Sequence, residues 1–313
     1  MSSDTSSGTV LITGPTGGLG RAATLAMARR PAPSRPDLLL VGRAGAALAD
    51  VADAARAAGA TAYTIDCDLA RLADVRAAAA RAKELLANGT VRPLRGLVAN
   101  AGVASVDTHS TSADGYELTF AVNHLAHAQL LADLLDSFAT PARIVLIGSN
   151  TYYENAFRRM LHVPPAIWRD PLDLAKPTAP DLAATSANGG VAYSTSKLAI
   201  LYYAHELQRR LPPGVNVAVF EPGFMPGTGL SRGHGRAMQR IGRVIERIPG
   251  VSRPARSGPA LASIVLDERW AHLRDGAFVV KDAEREVESF AKDRAREARL
   301  WDVTAELLRV SAG

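Results

Sequence analysis

The sequence predicts an α/β fold, with one domain over residues 1–313 built on a doubly wound parallel sheet of seven strands. Short, continuous apolar runs recur along the chain, and they suit strands that are covered on both faces. Segments rich in Ala and Leu with helical spacing lie between these runs, as right-handed crossovers require. With 313 residues, of which 47% are hydrophobic, the chain can bury the core of one such domain.

The expected elements alternate between strand and helix. Leu38-Leu39-Leu40-Val41 and Ile144-Val145-Leu146-Ile147 are typical of strands buried on both faces. The strands are expected near residues 9–13, 37–42, 60–65, 94–99, 142–148, 215–221 and 277–280. The helices are expected near residues 21–30, 44–58, 72–87, 113–138 and 192–211.

A glycine-rich turn, Gly14-Pro15-Thr16-Gly17-Gly18-Leu19-Gly20, joins the first strand to the first helix. Gly14 permits a tight turn, Gly18 lets a pyrophosphate approach the backbone, and Gly20 lets helix and strand pack closely. The N-terminus of the following helix offers free N–H groups and partial positive charge to an anion. Strand, turn and helix therefore follow the order of a dinucleotide site, although a glycine turn without a ligand is the alternative.

Tyr193 and Lys197 lie four positions apart in Tyr193-Ser194-Thr195-Ser196-Lys197. If this segment is helical, both side chains share one face, and the ammonium can stabilise the anion of the phenol. The pair then has the layout of a general acid. A polar pair on a solvated helix face is the alternative, so the interpretation depends on the other motifs.

These motifs resemble those of the short-chain dehydrogenase/reductase family, whose glycine spacing is Thr-Gly-x-x-x-Gly-x-Gly. The resemblance covers about residues 10–230 and implies a Rossmann-type fold and hydride transfer between a nicotinamide cofactor and a carbonyl or alcohol carbon. Three further segments resemble the retinol dehydrogenase, protochlorophyllide reductase and carbonyl reductase branch. They are Asp114-Gly115-Tyr116-Glu117, the insertion 152–190 and Leu300-Trp301-Asp302.

The resemblance implies four catalytic residues, Asn123, Ser149, Tyr193 and Lys197. Tyr193 would protonate the carbonyl oxygen and Ser149, at the carboxyl end of the fifth strand, would donate a hydrogen bond to it. Lys197 would lower the pKa of the phenol and bind the nicotinamide ribose. Asn123 would help keep a helix distortion and a water-linked proton path to the lysine.

The resemblance also implies the cofactor-binding residues. Asp68 would accept from the adenine amino group, and Asn100-Ala101-Gly102 would line the ribose and help hold the central strands. An ordinary turn is the alternative for Asp68 and Asn100. The full set is Gly14, Thr16, Gly17, Gly18, Leu19, Gly20, Arg43, Asp68, Leu69, Asn100, Ala101, Gly102, Tyr193, Lys197, Pro222, Gly223, Met225 and Thr228.

Arg43 follows the second strand, at the position that discriminates between the two nicotinamide cofactors. A carboxylate there would bind the ribose hydroxyls of NAD, whereas a guanidinium can form charge-assisted bonds to a 2′-phosphate. The sequence therefore predicts NADPH/NADP+ as cofactor. An ordinary surface arginine at a helix start is the alternative.

Two segments are expected to shape the substrate pocket. The insertion 152–190 carries several aromatic residues and prolines and is predicted to form an ordered flap over the site. Residues 224–259 are rich in Gly, Arg and Pro, which favours a mobile substrate lid. In relatives with long insertions the flap covers the helices used for assembly, so the resemblance implies a monomer or a weak dimer.

Composition argues against several other classes of protein. The net charge of +5 would allow a nucleic-acid partner, but the charges are interleaved and aromatic residues are only 5% of the chain. No apolar run approaches the roughly 18 residues of a membrane span, and the polar start does not resemble a signal peptide. The lone Cys67 is expected to be a buried structural thiol in a reducing cytoplasm. His124 and His127 are expected to be packing or surface residues, and no metal site is predicted.

The combined expectation is an NADPH-dependent reductase for a ketone or aldehyde on a mid-sized, largely apolar small molecule, in secondary metabolism. One alternative is NADP-linked oxidation of a retinoid-like or steroid-like alcohol. The other is a non-catalytic dinucleotide-binding sensor or scaffold. Protochlorophyllide reduction is disfavoured because Cys67 lies in the cofactor half and no cysteine lies near the flap.

Overall fold

A computed structural model describes residues 8–155, 158–159, 163–225 and 252–311. Its centre is an eight-stranded sheet in the order β3-β2-β1-β4-β5-β6-β7-β8, in which β1 to β7 are parallel. The order reverses between β1 and β4, where the carboxyl ends of the strands open a crevice. The strands are β1 Thr9–Thr13, β2 Asp37–Gly42, β3 Ala62–Asp66, β4 Leu94–Ala99, β5 Phe138–Ile147, β6 Val215–Glu221, β7 Ala277–Val280 and β8 Ala283–Arg285.

Helices cover both faces of this sheet. A π-helical segment, Ala121–Leu125, joins α4 to α5 without a break. None of the helices in the described ranges combines the length and hydropathy needed to cross a bilayer. The helices are α1 Gly18–Ala28, α2 Ala46–Ala57, α3 Leu72–Ala87, α4 Leu118–Phe120, α5 Ala126–Leu134, α6 Pro171–Leu174, α7 Ser186–Arg210, α8 Pro254–Leu266 and α9 Arg294–Val310.

The apolar core is divided by the sheet into two layers. Side chains alternate along each strand, so Leu11 and Leu39 face one layer while Ile12 and Leu40 face the other. The first layer packs against α3, α5, α7 and α9, and the second against α1, α2 and α8. Burial on both faces explains the continuous apolar runs and confirms the predicted doubly wound class.

An eighth strand, β8, departs from the prediction of seven. It pairs antiparallel with β7, and a two-residue turn connects Val280 to its partner Ala283. Lys281 in that turn adopts φ 59°, as two-residue hairpin turns commonly require. The strand was missed because Lys281-Asp282 lacks the glycine that usually signals such a turn.

The helix predicted over 113–138 is shorter in the structure. It begins at Leu118 because the carboxylate of Glu117 caps it, accepting the N–H groups of Thr119 and Phe120. Before it, Gly115 adopts φ 83° in a turn. At the other end, β5 already begins at Phe138.

The predicted lid, 224–259, overlaps helix α8. Residues 254–259 form the first turns of this helix, with Pro254 in its first turn, where a missing N–H costs no hydrogen bond. The carboxyl boundary of the lid prediction was therefore wrong, because the Pro- and Gly-containing start of a packed helix was read as loop. The remainder of the lid, 226–251, lies outside the described residues, as do Phe157 and Met160 of the flap.

The described part of the flap and the C-terminal helix both lie against α7. Trp168 of the flap packs edge-on against Tyr202, with ring centroids 4.7 Å apart. Trp301 of α9 stacks on Tyr203 at 5.3 Å, and Glu297 Oε1 lies 2.8 Å from His205 Nδ1. This face of α7 is thus covered by segments of the same chain.

Candidate active site

The glycine turn has the geometry expected of a close backbone approach. Gly14 adopts φ 64°, and its N–H donates to the carbonyl of Val41 at 3.0 Å. A Cβ on Gly20 would collide with the Gly14 carbonyl oxygen, so only glycine fits there. These observations agree with the predicted steric roles of both residues, and Thr16, Gly17, Gly18 and Leu19 lie between them.

The first turn of α1 suits an anionic ligand. Gly17 at its N-cap has no side chain to occupy the free N–H groups, and no acidic residue stands in the first turn. A Cβ placed on Gly17 would meet nothing within 4 Å, so the space over the turn is open. The residues present therefore fit the pyrophosphate of a dinucleotide.

Asn100 ties the glycine turn to the neighbouring strand. Its amide nitrogen donates to the carbonyls of Thr13 and Gly14, at 2.9 and 3.0 Å. The hydroxyl oxygen of Thr13 accepts the backbone N–H groups of Asn100 and Ala101, both at 3.0 Å. Asn100 thus holds β1 and β4 together, as predicted, and Gly102 follows beside Asn123.

The residues predicted to bind adenosine lie at the carboxyl ends of β2 and β3. Arg43 is exposed, and it forms no ion pair with any residue that the structure describes. Asp68 Oδ1 accepts the N–H of Ala70 at 3.0 Å, so this residue also serves the ordinary turn that was its alternative interpretation. Leu69 beside it is buried.

Tyr193 and Lys197 lie on α7, which confirms the helical spacing read from the sequence. The Lys197 ammonium lies 5.4 Å from the centroid of the Tyr193 ring and donates to the carbonyl of Ile147 at 2.8 Å. Lys197 is only 4% exposed. Burial lowers the pKa of its ammonium to about 8.

The phenol of Tyr193 holds its proton at neutral pH. Burial raises its pKa to about 12, the charge of Arg158 opposes the rise, and Glu221 adds to it. A hydrogen bond with Ser149 also lowers the pKa. A half-buried, protonated phenol at the edge of the sheet can donate its proton.

Ser149 stands directly after β5, at the same sheet edge. Its hydroxyl oxygen accepts the N–H of Thr151 at 3.3 Å and caps the short 3₁₀ turn Asn150–Tyr152. The side chain is buried. Ser149 and Tyr193 are therefore brought to one point by strand and helix.

Asn123 lies inside the π-helical segment, so the predicted helix distortion is present. Its amide oxygen accepts the N–H of Val103 at 2.8 Å, and its nitrogen donates to the Val103 carbonyl at 2.9 Å. The same nitrogen donates to Ser196 Oγ at 3.0 Å, and this hydroxyl donates to the Tyr193 carbonyl at 2.7 Å. Asn123 thereby joins the loop after β4 to helix α7.

The Pro222-Gly223 turn is held by its neighbours. The Gly223 N–H donates to the carboxylate of Glu221 at 3.0 Å, and the Ser257 hydroxyl donates to the Pro222 carbonyl at 3.0 Å. Met225 is half-buried against the second core layer. Thr228, also predicted to contact the cofactor, lies outside the described residues.

Sequence reasoning missed two charged residues at the site, Glu221 and Arg158. Glu221 ends β6, is 2% exposed, and accepts the N–H groups of Gly223 and Asn150. Burial raises the pKa of Glu221, and the charge of Arg158 opposes this. The sequence could have indicated Glu221 as a site residue, because it is a carboxylate at the end of an apolar strand. No local pattern in the flap distinguishes Arg158 from its neighbours.

The two histidines near Asn123 are packing residues. His124 Nε2 lies 2.7 Å from Thr304 Oγ1, and His127 Nε2 lies 3.0 Å from Thr13 Oγ1. Burial lowers their pKa values to about 3 and about 4, so both rings are neutral. Cys67 is buried as predicted, and burial raises the pKa of its thiol to about 12.

The predicted residues thus gather along one edge of the sheet. The glycine turn and Asn100 lie at the centre of this edge. Arg43 and Asp68 lie on one side of them, near β2 and β3, and Ser149 lies on the other side, near β5 and β6. The glycine turn, which fits the phosphates, and the phenol of Tyr193 therefore lie on opposite sides of the crevice where the strand order reverses. This fold and site define an oxidoreductase that uses a nicotinamide dinucleotide.

Comparison with known proteins identifies the family. The model of the short chain dehydrogenase family matches residues 8–159. The chain is 30% identical to protochlorophyllide reductase A of Oryza sativa subsp. japonica, over 96% of this chain and 80% of that one. It is 31% identical to DnrU of Streptomyces sp. strain C5, assigned as a daunorubicin C-13 ketoreductase, over 95% and 91% of the two chains. The chain belongs to the short-chain dehydrogenase/reductase family.

A solved structure supports the same fold. A short chain dehydrogenase from Burkholderia cenocepacia J2315, crystallised in complex with NADP, superposes with a TM-score of 0.61. The alignment has 22% sequence identity and covers 88% of this chain and 96% of the other. The two chains therefore share their architecture.

Proposed function

We propose that this protein is an NADPH-dependent reductase of a ketone or aldehyde carried by a mid-sized, largely apolar molecule. The observation that carries this proposal is the half-buried phenol of Tyr193, which keeps its proton and lies near both Ser149 and the ammonium of Lys197. A donor that is protonated at neutral pH suits reduction, in which the carbonyl oxygen must gain a proton.

Each catalytic residue has one task in this reaction. When bound, NADPH supplies the hydride. Ser149 donates a hydrogen bond to the substrate carbonyl, and Tyr193 gives its proton to the same oxygen. Lys197 stabilises the phenolate that remains and binds the nicotinamide ribose, while Asn123 holds the helix that carries both residues.

The glycine turn and the first turn of α1 would hold the cofactor pyrophosphate. Asn100, Ala101 and Gly102 would line the adenosine side, together with Asp68 and Leu69. Pro222, Gly223 and Met225 would approach the nicotinamide, with Thr228 proposed for the same loop. These roles rest on the resemblance and on the position of each residue along the crevice.

Arg43 selects NADPH over NADH. Arg43→Ala is expected to weaken NADPH binding about ten- to hundredfold, because a charge-assisted bond to the 2′-phosphate is lost, and to leave NADH binding nearly unchanged. Fluorescence titration with both cofactors measures this. Arg81→Ala is the matched control, since Arg81 is an exposed arginine on α3 that pairs with Glu84. Equal affinity of the wild type for both cofactors would contradict the assignment.

The similarity to DnrU supports a ketone as substrate and a place in secondary metabolism. Protochlorophyllide reduction is not proposed for this chain, because its only cysteine, Cys67, lies buried directly after β3 and none lies near the flap. A single buried thiol also suits the reducing cytoplasm that we propose as its compartment.

The decisive experiment follows NADPH oxidation over a panel of aryl and polycyclic ketones and aldehydes. Turnover of at least one member that disappears in Tyr193→Phe supports the reductase. Turnover only of retinoid-like or steroid-like alcohols with NADP+ would favour the alcohol dehydrogenase. Tight cofactor binding without turnover in either direction would favour the sensor or scaffold.

The protein is expected to be a monomer or a weak dimer. Trp168 and Trp301 cover α7 at Tyr202 and Tyr203. The family resemblance implies that shorter relatives assemble through helices that such insertions cover. A second chain would have to displace these packed aromatic contacts. Light scattering at micromolar concentration measures the mass, and a stable tetramer would contradict the expectation.

A further inference from the structure

The flap turns one of two adjacent arginines into the active site. Arg158 is 7% exposed, whereas the side chain of Arg159 is 72% exposed and pairs with Glu154 at 3.0 Å. The backbone of Arg158 is fixed on both sides, because its N–H donates to Asn155 Oδ1 and its carbonyl accepts from Val163, both at 3.0 Å. The inward direction of Arg158 is therefore built into the fold of the flap.

The guanidinium of Arg158 lies among the groups of the active site. It is positioned over the ring of Phe224, 5.6 Å from the ring centroid. Its charge acts on the phenol of Tyr193 and on the carboxylate of Glu221. The flap thus places a cation close enough to the proton donor for its charge to act on the phenol.

Glu221 acts on this cation through its charge alone and forms no direct ion pair with it. The Glu221 carboxylate already accepts the N–H groups of Gly223 and Asn150. Within the described ranges, no carboxylate lies within 4 Å of the Arg158 guanidinium. A guanidinium carries five N–H donors in a fork that matches the two oxygens of an anion such as a carboxylate. Burying such a cation costs free energy unless an anion forms hydrogen bonds with it.

We propose that Arg158 is a specificity residue that binds an anionic oxygen of the substrate, a carboxylate or an ionised phenol or enol, next to the carbonyl that Tyr193 protonates. This inference rests on the proposed reductase function and names its substrate class. The substrate is then an aromatic or polycyclic ketone whose apolar body carries one acidic oxygen. Phe224, whose ring lies against the Arg158 guanidinium, provides an aromatic surface for that body.

Binding of matched probes to the NADP+-loaded protein tests this directly. One pair is 2-naphthoate and 2-naphthamide; the other is 2-hydroxy-1,4-naphthoquinone, ionised at neutral pH, and its 2-methoxy analogue. In each pair only the first member carries an anionic oxygen, and the two pairs separate a carboxylate from an ionised enol. Calorimetry is expected to show at least about tenfold tighter binding of one or both anions by the wild type.

Arg158→Gln is expected to remove that preference, with about a ten- to hundredfold loss for the anion and little change for the neutral probe. Arg158→Lys, which keeps the charge but not the fork, should retain part of it. Arg159→Gln is the matched control, and it should behave as the wild type. Thermal unfolding of each variant checks that the flap change leaves the fold intact.

Three results would overturn the proposal: no preference for either anion in the wild type, a preference that survives in Arg158→Gln, or an equal loss for both members of a pair. A tenfold loss of NADPH affinity in Arg158→Gln with an unchanged anion preference would assign the guanidinium to the cofactor instead. This test measures binding, so it is independent of turnover. If the carbonyl panel showed no turnover, the reductase proposal would be refuted, whereas the preference for the anionic probe would still be decided by calorimetry.

Discussion

Replacing Tyr193 by phenylalanine is expected to lower carbonyl reduction at least about a hundredfold, because general acid catalysis contributes typically 10² to 10⁴ in rate. The phenyl ring keeps its packing on α7, so only the proton donor and its hydrogen bond with Ser149 are lost. The affinity for NADPH should stay nearly unchanged. Steady-state kinetics and fluorescence titration measure the two quantities.

Tyr203→Phe is the matched control for this variant. Tyr203 is a buried tyrosine on the same helix, and its ring stacks on Trp301. Removing its hydroxyl should leave turnover close to that of the wild type. If Tyr193→Phe kept most of its activity on the substrate, Tyr193 would not be the acid and the proposed mechanism would fail.

Lys197→Met is expected to damage both catalysis and cofactor binding. Methionine fills a similar volume at this 4% exposed position, so the change removes the charge without opening a cavity. Losing the ammonium removes the stabilisation of the phenolate as well as the proposed ribose contact. We expect kcat/KM to fall at least about a hundredfold and NADPH affinity to fall too, in contrast to Tyr193→Phe.

The pH profile gives this prediction a second readout. Burial lowers the pKa of Lys197 to about 8, so the ammonium is charged below this pH and neutral above it. The wild-type rate of reduction should therefore be high below pH 8 and decline as the pH rises through that value. This decline should be missing in Lys197→Met. A wild-type rate that is constant across pH 8 would show that the Lys197 charge does not govern the proton transfer.

Much of the fold followed from local patterns. The apolar runs at Leu38 and Ile144 predicted strands correctly because burial on both faces leaves no polar alternation to misread. The spacing of Tyr193 and Lys197 predicted a helix, and α7 extends over both residues. The strand β8 and helix α8 were missed because their sequences resemble loops, and packing against β7 and α1 decides their structure.

The sequence by itself determined the class of the fold, the glycine turn and the order of the site residues. These features depend on periodicity and on steric limits that act within a few residues, as at Gly14 and Gly20. Only the tertiary structure decided which charges surround the phenol of Tyr193. Arg158 and Glu221 come from a flap and a strand that are distant in sequence, and they meet because the sheet edge and the folded flap bring them together. Local sequence patterns cannot predict that these two charges lie near each other, because burial and Coulomb interactions depend on distance in space and not on separation along the chain.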